Sequence, residues 1–192
     1  NCIRHQLESE DDSVLPRCVV RGRQNPKHLS FSTRIRRARR QSALSLVDLA
    51  ERAGLAGASV VRYLETGMRA PRLDTVERLA HGLGLSPAFL AFDLGADTSL
   101  PADGLRCEGI ASRLRETRTV CGLTMRALAR AAGLTDTAVR STESGASIPS
   151  IATAESLAKA LGVSPAWLAF GEGPQVLPQR CRIRSEPAAA RS

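Results

Sequence analysis

An all-α protein is predicted for this 192-residue chain: two tandem five-helix domains joined by a flexible linker. Three observations carry that reading. Glu65–Gly95 returns as Glu143–Gly173 with 16 identical residues in 31 ungapped positions. Hydrophobic residues make up 43% of the chain but aromatics only 3%, so the cores are built from Leu, Ala and Val, as in small helical bundles. Each copy also strings Ser or Thr caps and Gly stops along the chain at helix-length intervals. The upstream match, Arg34–Gly54 against Arg113–Gly133, extends the repeat to a period of about 79 residues. That is the size of a small domain and too long for a solenoid unit.

The pattern divides the chain in order. Residues 1–32 mix charges, Pro and Gly without a period, which predicts a disordered arm. Domain 1 covers 33–95. Residues 96–109 hold two Gly, one Pro and few apolar side chains and are predicted to be a linker. Domain 2 covers 110–173, and 174–192, with Pro174, Pro178 and Pro187, reads as a flexible basic tail.

Within domain 2 a first helix carries Leu114 and Arg118 and ends near Gly122. Thr124 caps a second helix with Leu128-Ala129 and Ala132, stopped by Gly133. Thr135 caps a third through Glu143, ended by Gly145. Ser150 precedes a fourth, with Ile151, Ala154, Leu157-Ala158 and Leu161 at 3.6-residue spacing. Ser164-Pro165 opens a short fifth helix. Domain 1 repeats these signals. Ser45 and Asp48 form a near capping box, Gly54, Gly67 and Gly84 close helices, and Ser86-Pro87 opens the last. None of these helices is stable alone in water, so the repeated Leu and Ala are core.

Composition narrows the function. Net charge is +8, carried by arginine, since Lys27 and Lys159 are the only lysines. Such a chain favours polyanionic partners, nucleic acid first. No apolar run approaches the ~20 residues of a membrane span, and Glu8, Glu10, Asp11 and Asp12 occupy the place of a signal peptide's apolar segment. A cytoplasmic, nucleoid-associated protein is expected. Cys2, Cys18, Cys107, Cys121 and Cys181 are odd in number and scattered, so free thiols are expected rather than a disulfide framework or a metal site. His5, His28 and His81 lie far apart, and no nucleophile or phosphate-cradling motif occurs. Neither an enzyme nor a cofactor is expected.

Met125–Ser144 exceeds generic helix packing. Two helices that cross through a tight turn need a small residue at the crossing, here Ala129. They need a residue tolerant of positive φ at the turn, here Gly133, and apolar residues beyond it to lock the angle. The second helix of such a pair is the one that enters the major groove. On these residues, together with Arg113-Leu114-Arg115, Arg118, Gly122-Leu123-Thr124, Val139, Glu143-Ser144-Gly145, Pro149 and Leu161–Pro165, both repeats resemble lambda-repressor-like, XRE-type helix-turn-helix domains.

The resemblance implies a transcriptional regulator, repressor-like, that binds double-stranded DNA with the third helix of each repeat. It places Thr135, Asp136, Thr137, Arg140 and Ser141 toward base edges, with Arg140 suited to a bidentate pair on guanine. Asp136 either accepts from cytosine N4 or stabilises its own helix start, at the cost of repulsion by phosphate. Phosphate-contact candidates are Thr124, Arg126 and Ser147 in domain 2, and Ser45, Arg69, Arg39 and Arg40 in domain 1. The family commonly has Gln at the start of the second helix, where this chain has Leu46 and Met125, and Thr142 replaces a larger apolar residue.

Domain 1 has one extra residue within Ala56-Gly57-Ala58. Two registers follow: Val60 and Tyr63 face the core, or Val61 and Leu64 do. The alignment of Glu65-x-Gly67 favours the second, which presents Ser59, Arg62 and Tyr63 to DNA. Because the two sets of base-facing residues differ, an asymmetric binding site is expected, reached by one chain across its linker; a homodimer or a protein partner stays open. The alternative function is a protein-interaction module, antitoxin-like or adaptor, with the same fold and little DNA readout.

Overall fold

The computed structural model describes residues 26–68, 70–95, 105–173 and 175. Ten α-helices follow one another: α1 Pro26–Gln41, α2 Leu46–Arg52, α3 Ala58–Glu65, α4 Leu73–Leu83 and α5 Pro87–Phe92 form domain 1. Domain 2 comprises α6 Ile110–Val120, α7 Met125–Ala132, α8 Asp136–Glu143, α9 Ile151–Leu161 and α10 Pro165–Phe170. A 3-10 turn, Arg106–Gly109, leads into α6.

The cap signals act as the sequence predicts. Ser45 and Asp48 complete a reciprocal capping box at α2, and Thr124, Thr135, Ser150 and Ser86 each accept a hydrogen bond from a first-turn N–H. Ser164 occupies the N-cap of α10 without a side-chain bond. Gly84, Gly133 and Gly162 end their helices in the left-handed conformation, where a side chain would be strained.

Two boundaries differ from the sequence reading. Residues 26–32 of the expected arm belong to α1, which buries Phe31 in the core. Residues 105–109 of the expected linker are ordered: Cys107 is fully buried, and Glu77 accepts hydrogen bonds from the N–H groups of Arg106 and Cys107 at 2.6 and 3.0 Å. A charge-assisted pair of this kind satisfies the orphan donors at the start of the 3-10 turn. Of the expected free thiols, Cys107 is free, whereas Cys121 is disulfide-bonded.

The two domains share one core. A single cluster of buried residues runs from Phe31 and Ile35 through Leu79 and Leu90 to Leu114, Leu157 and Leu168. At the boundary the segments that precede α4 and α9 pair antiparallel. Leu73 N–H donates to the Pro149 carbonyl and Ile151 N–H to the Pro71 carbonyl, each at 3.0 Å, with Arg72 bridged to Ser150. The rings of Phe92 and Phe170 lie 6.2 Å apart at the ends of α5 and α10. No described helix is long and apolar enough to cross a membrane.

Candidate nucleic-acid interface

Each domain presents one helix-turn-helix unit. In domain 2, Ala129 is buried where α7 crosses its partner, Gly133 turns the chain at φ 66°, and Leu134 N–H returns to the Ala129 carbonyl at 2.8 Å. In domain 1, Ala50 is buried, Gly54 turns at φ 59°, and Leu55 N–H returns to the Ala50 carbonyl, again at 2.8 Å. The same small residue, turn and closing bond thus set the two crossings.

The extra residue of domain 1 is absorbed at Gly57, the N-cap of α3, with φ 154° and ψ 174°. That region is essentially closed to residues with a side chain. Val61 is fully inaccessible and Leu64 is buried, while Ser59, Arg62 and Tyr63 are exposed. The second of the two registers is therefore the one adopted. Gly57 has no side chain to cap α3, unlike Thr135, whose hydroxyl accepts from Ala138 N–H at α8.

On α8, Asp136, Thr137 and Arg140 are exposed beside the exposed cap Thr135. Ser141 is half-buried, its hydroxyl 2.6 Å from that of Ser147. Val139 and Thr142 face inward, and the Thr142 hydroxyl bonds back to the Ala138 carbonyl. This bond lets a polar residue occupy the position that Leu64 fills in domain 1.

The far end of each presented helix is clamped to the first helix of its domain. Arg118 grips both carboxylate oxygens of Glu143 at 2.6 and 3.1 Å and the Leu123 carbonyl at 2.8 Å. Arg39 repeats this on Glu65, at 2.7 and 3.2 Å, and on the Leu44 carbonyl at 2.8 Å. Arg115 and Arg36 each donate to the carbonyl of the same glutamate. The bond to the carboxylate holds the Arg118 and Arg39 guanidinium groups above their ordinary pKa, against the opposing pull of burial. A second pair, Arg34 and Arg113, ties α1 and α6 to the carbonyls of Leu90, Ala91, Leu168 and Ala169, and burial lowers both of their pKa values.

The phosphate candidates divide accordingly. Arg40, Arg126, Thr124, Ser45 and Ser147 are exposed. Thr124 and Ser45 hydroxyls also cap their helices. Arg39 does not belong with them, because its guanidinium is spent on Glu65 and Leu44. Arg69 lies outside the described residues. Leu46 and Met125, at the position where Gln is usual, pack half-buried against the core. The clamp escaped sequence reasoning, although its signal was present: Arg36, Arg39 and Glu65 recur together as Arg115, Arg118 and Glu143. Among the described residues, no group of three or more His, Cys, Asp or Glu is placed to hold a metal.

Comparison with known families agrees with this geometry. Residues 30–91 match the model described as helix-turn-helix domain, and residues 114–168 match the one described as helix-turn-helix. No curated protein and no solved structure matches the chain.

Proposed function

Because the chain belongs to the helix-turn-helix proteins, with two lambda-repressor-like, XRE-type domains in tandem, we propose that it reads specific double-stranded DNA with α3 and α8 and acts as a repressor-like regulator. Helix-turn-helix domains point to DNA binding and transcription regulation in general. The finer reading rests on one observation: each presented helix keeps a solvent-facing set of polar side chains while its opposite face and far end are locked to the domain.

In domain 2, Arg140 pairs with guanine O6 and N7 in the major groove, worth ~1–3 kcal/mol against another base. Thr137 and Ser141 flank it, and Asp136 accepts from cytosine N4. In domain 1, Arg62 takes the guanine role, with Ser59 and Tyr63 beside it. Arg40 and Arg126 neutralise phosphates, and the N-termini of α2 and α7, capped by Ser45 and Thr124, offer N–H groups to the backbone.

The test is a fluorescence titration of duplex DNA at two salt concentrations. DNA binding of this kind weakens steeply with salt, because counterions are released for each phosphate neutralised. Arg126→Ala should flatten that dependence by about one phosphate, and Arg140→Ala should relax base preference. A salt-insensitive chain that retains no duplex would instead support the protein-interaction role.

A further inference from the structure

The domain boundary joins equivalent positions of the two repeats. A shift of 78 residues carries Pro71 to Pro149, Arg72 to Ser150, Leu73 to Ile151 and Phe92 to Phe170. Leu73 bonds to Pro149 as Ile151 bonds to Pro71, while Arg72 meets its own equivalent Ser150 and Phe92 its own equivalent Phe170. Reciprocal pairs and self-paired positions are the mark of an isologous, twofold contact. Here the contact lies inside one chain. The approximate axis passes between Arg72 and Ser150 and between Phe92 and Phe170.

Two further ties break the symmetry and strengthen the joint. Glu77 holds the backbone of Arg106 and Cys107. Glu172 accepts from the Ser86 hydroxyl at 2.5 Å and lies 3.4 Å from Arg106. The faces so joined are no longer available to another copy: Leu90, Ala91, Leu168, Ala169 and Phe170 are all buried. The large apolar side chains left exposed among the described residues are Val47, Tyr63 and Leu94, on three separate segments.

We propose that the chain is an internal pseudo-dimer. Its domain boundary takes the place of a subunit interface, so a single copy presents α3 and α8 in a twofold relation. Duplex DNA has twofold axes perpendicular to its length, and a twofold pair of reading helices meets half-sites in inverted orientation. The two halves differ in sequence, because Ser59, Arg62 and Tyr63 face one and Thr137, Arg140 and Ser141 the other. Their spacing is set by the docked boundary and not by the length of the connection. This inference rests on the DNA-binding reading above and adds stoichiometry, orientation and spacing to it.

The full chain is first sedimented without DNA, then used to select duplexes from a random library. The enriched halves are rebuilt as inverted and as direct repeats at several spacings, for the chain itself and for a variant with about ten Gly and Ser residues inserted between 99 and 100. A monomer that binds the inverted arrangement at least about tenfold better, one chain per duplex, with the same best spacing in the inserted variant, is the expected result. A dimer without DNA, two chains per duplex, preference for the direct repeat, or a spacing that relaxes on insertion would overturn the pseudo-dimer and leave DNA binding standing. A monomer that enriches no motif would overturn the DNA reading, and with it the half-site claim.

Discussion

Arg118 closes on Glu143 through two nitrogens, and Glu143 is the last residue of the helix that carries Arg140. The pair sits at the edge of the core, with side-chain exposures of 16% and 6%. Its equivalent, Arg39 on Glu65, does the same for the helix that carries Arg62. The clamp thus sets how each reading helix stands on its domain.

Arginines adjacent in sequence should therefore fail in different ways. Arg39→Ala leaves the buried Glu65 carboxylate without its main partner, a loss of about 3–5 kcal/mol. Arg40→Ala, at an exposed position, should leave stability within about 0.5 kcal/mol and weaken DNA binding evenly across sequences. Urea unfolding together with DNA titration of both variants checks the contrast.

The turn into α3 depends on Gly57. Its backbone lies where a Cβ is strained, although nothing beyond Gly57 itself and its chain neighbours lies within 4 Å of the position that Cβ would take. Gly57→Ala should cost about 1–3 kcal/mol through backbone strain alone. Ala132→Gly, in the last turn of α7, should cost only about 1 kcal/mol. Chemical denaturation of the two variants separates these effects.

The single buried cluster that spans both domains should make them unfold as one unit. Phe170 is 2% exposed and Phe92 only half-buried, so Phe170→Ala should cost about 3–5 kcal/mol and Phe92→Ala less. Wild-type unfolding should follow one transition when monitored by Trp167 in domain 2 and by helix content over both domains. Two separated transitions would show that the domains unfold independently.

Cys107 reports on the same joint. Burial, with Glu77 beside it, pushes its thiol far above the ordinary range, so no thiolate forms near neutral pH. Iodoacetamide at pH 8 should leave Cys107 unmodified in the native protein and label it on unfolding, as read by peptide mass mapping. Glu77→Gln should speed that labelling by loosening the 3-10 turn.

Much of the fold was legible because its signals are local. The capping side chains of Ser45, Thr124 and Thr135 and the helix-ending glycines act within a few residues, and the Leu and Ala stripes repeat twice. The register of α3 was legible only through comparison between the copies, since Val60 and Val61 are equally apolar. The joint between domains was not legible. Pro71, Leu73 and Phe92 look like ordinary helix-start and core residues, and nothing local shows that Phe92 meets its own equivalent or that Pro71 and Leu73 pair reciprocally with Ile151 and Pro149. Arg39 was misassigned for a related reason: a first-helix arginine reads as a free cation until Glu65, 26 residues away, is brought beside it.

The most direct measurement is selection of genomic fragments on the purified chain near physiological salt, followed by sequencing of what is retained. Enrichment of one bipartite motif with unlike halves is expected, with one half lost in Arg140→Ala and the other in Arg62→Ala. Fragments retained without a motif, or none retained, would contradict sequence-specific reading by these two helices.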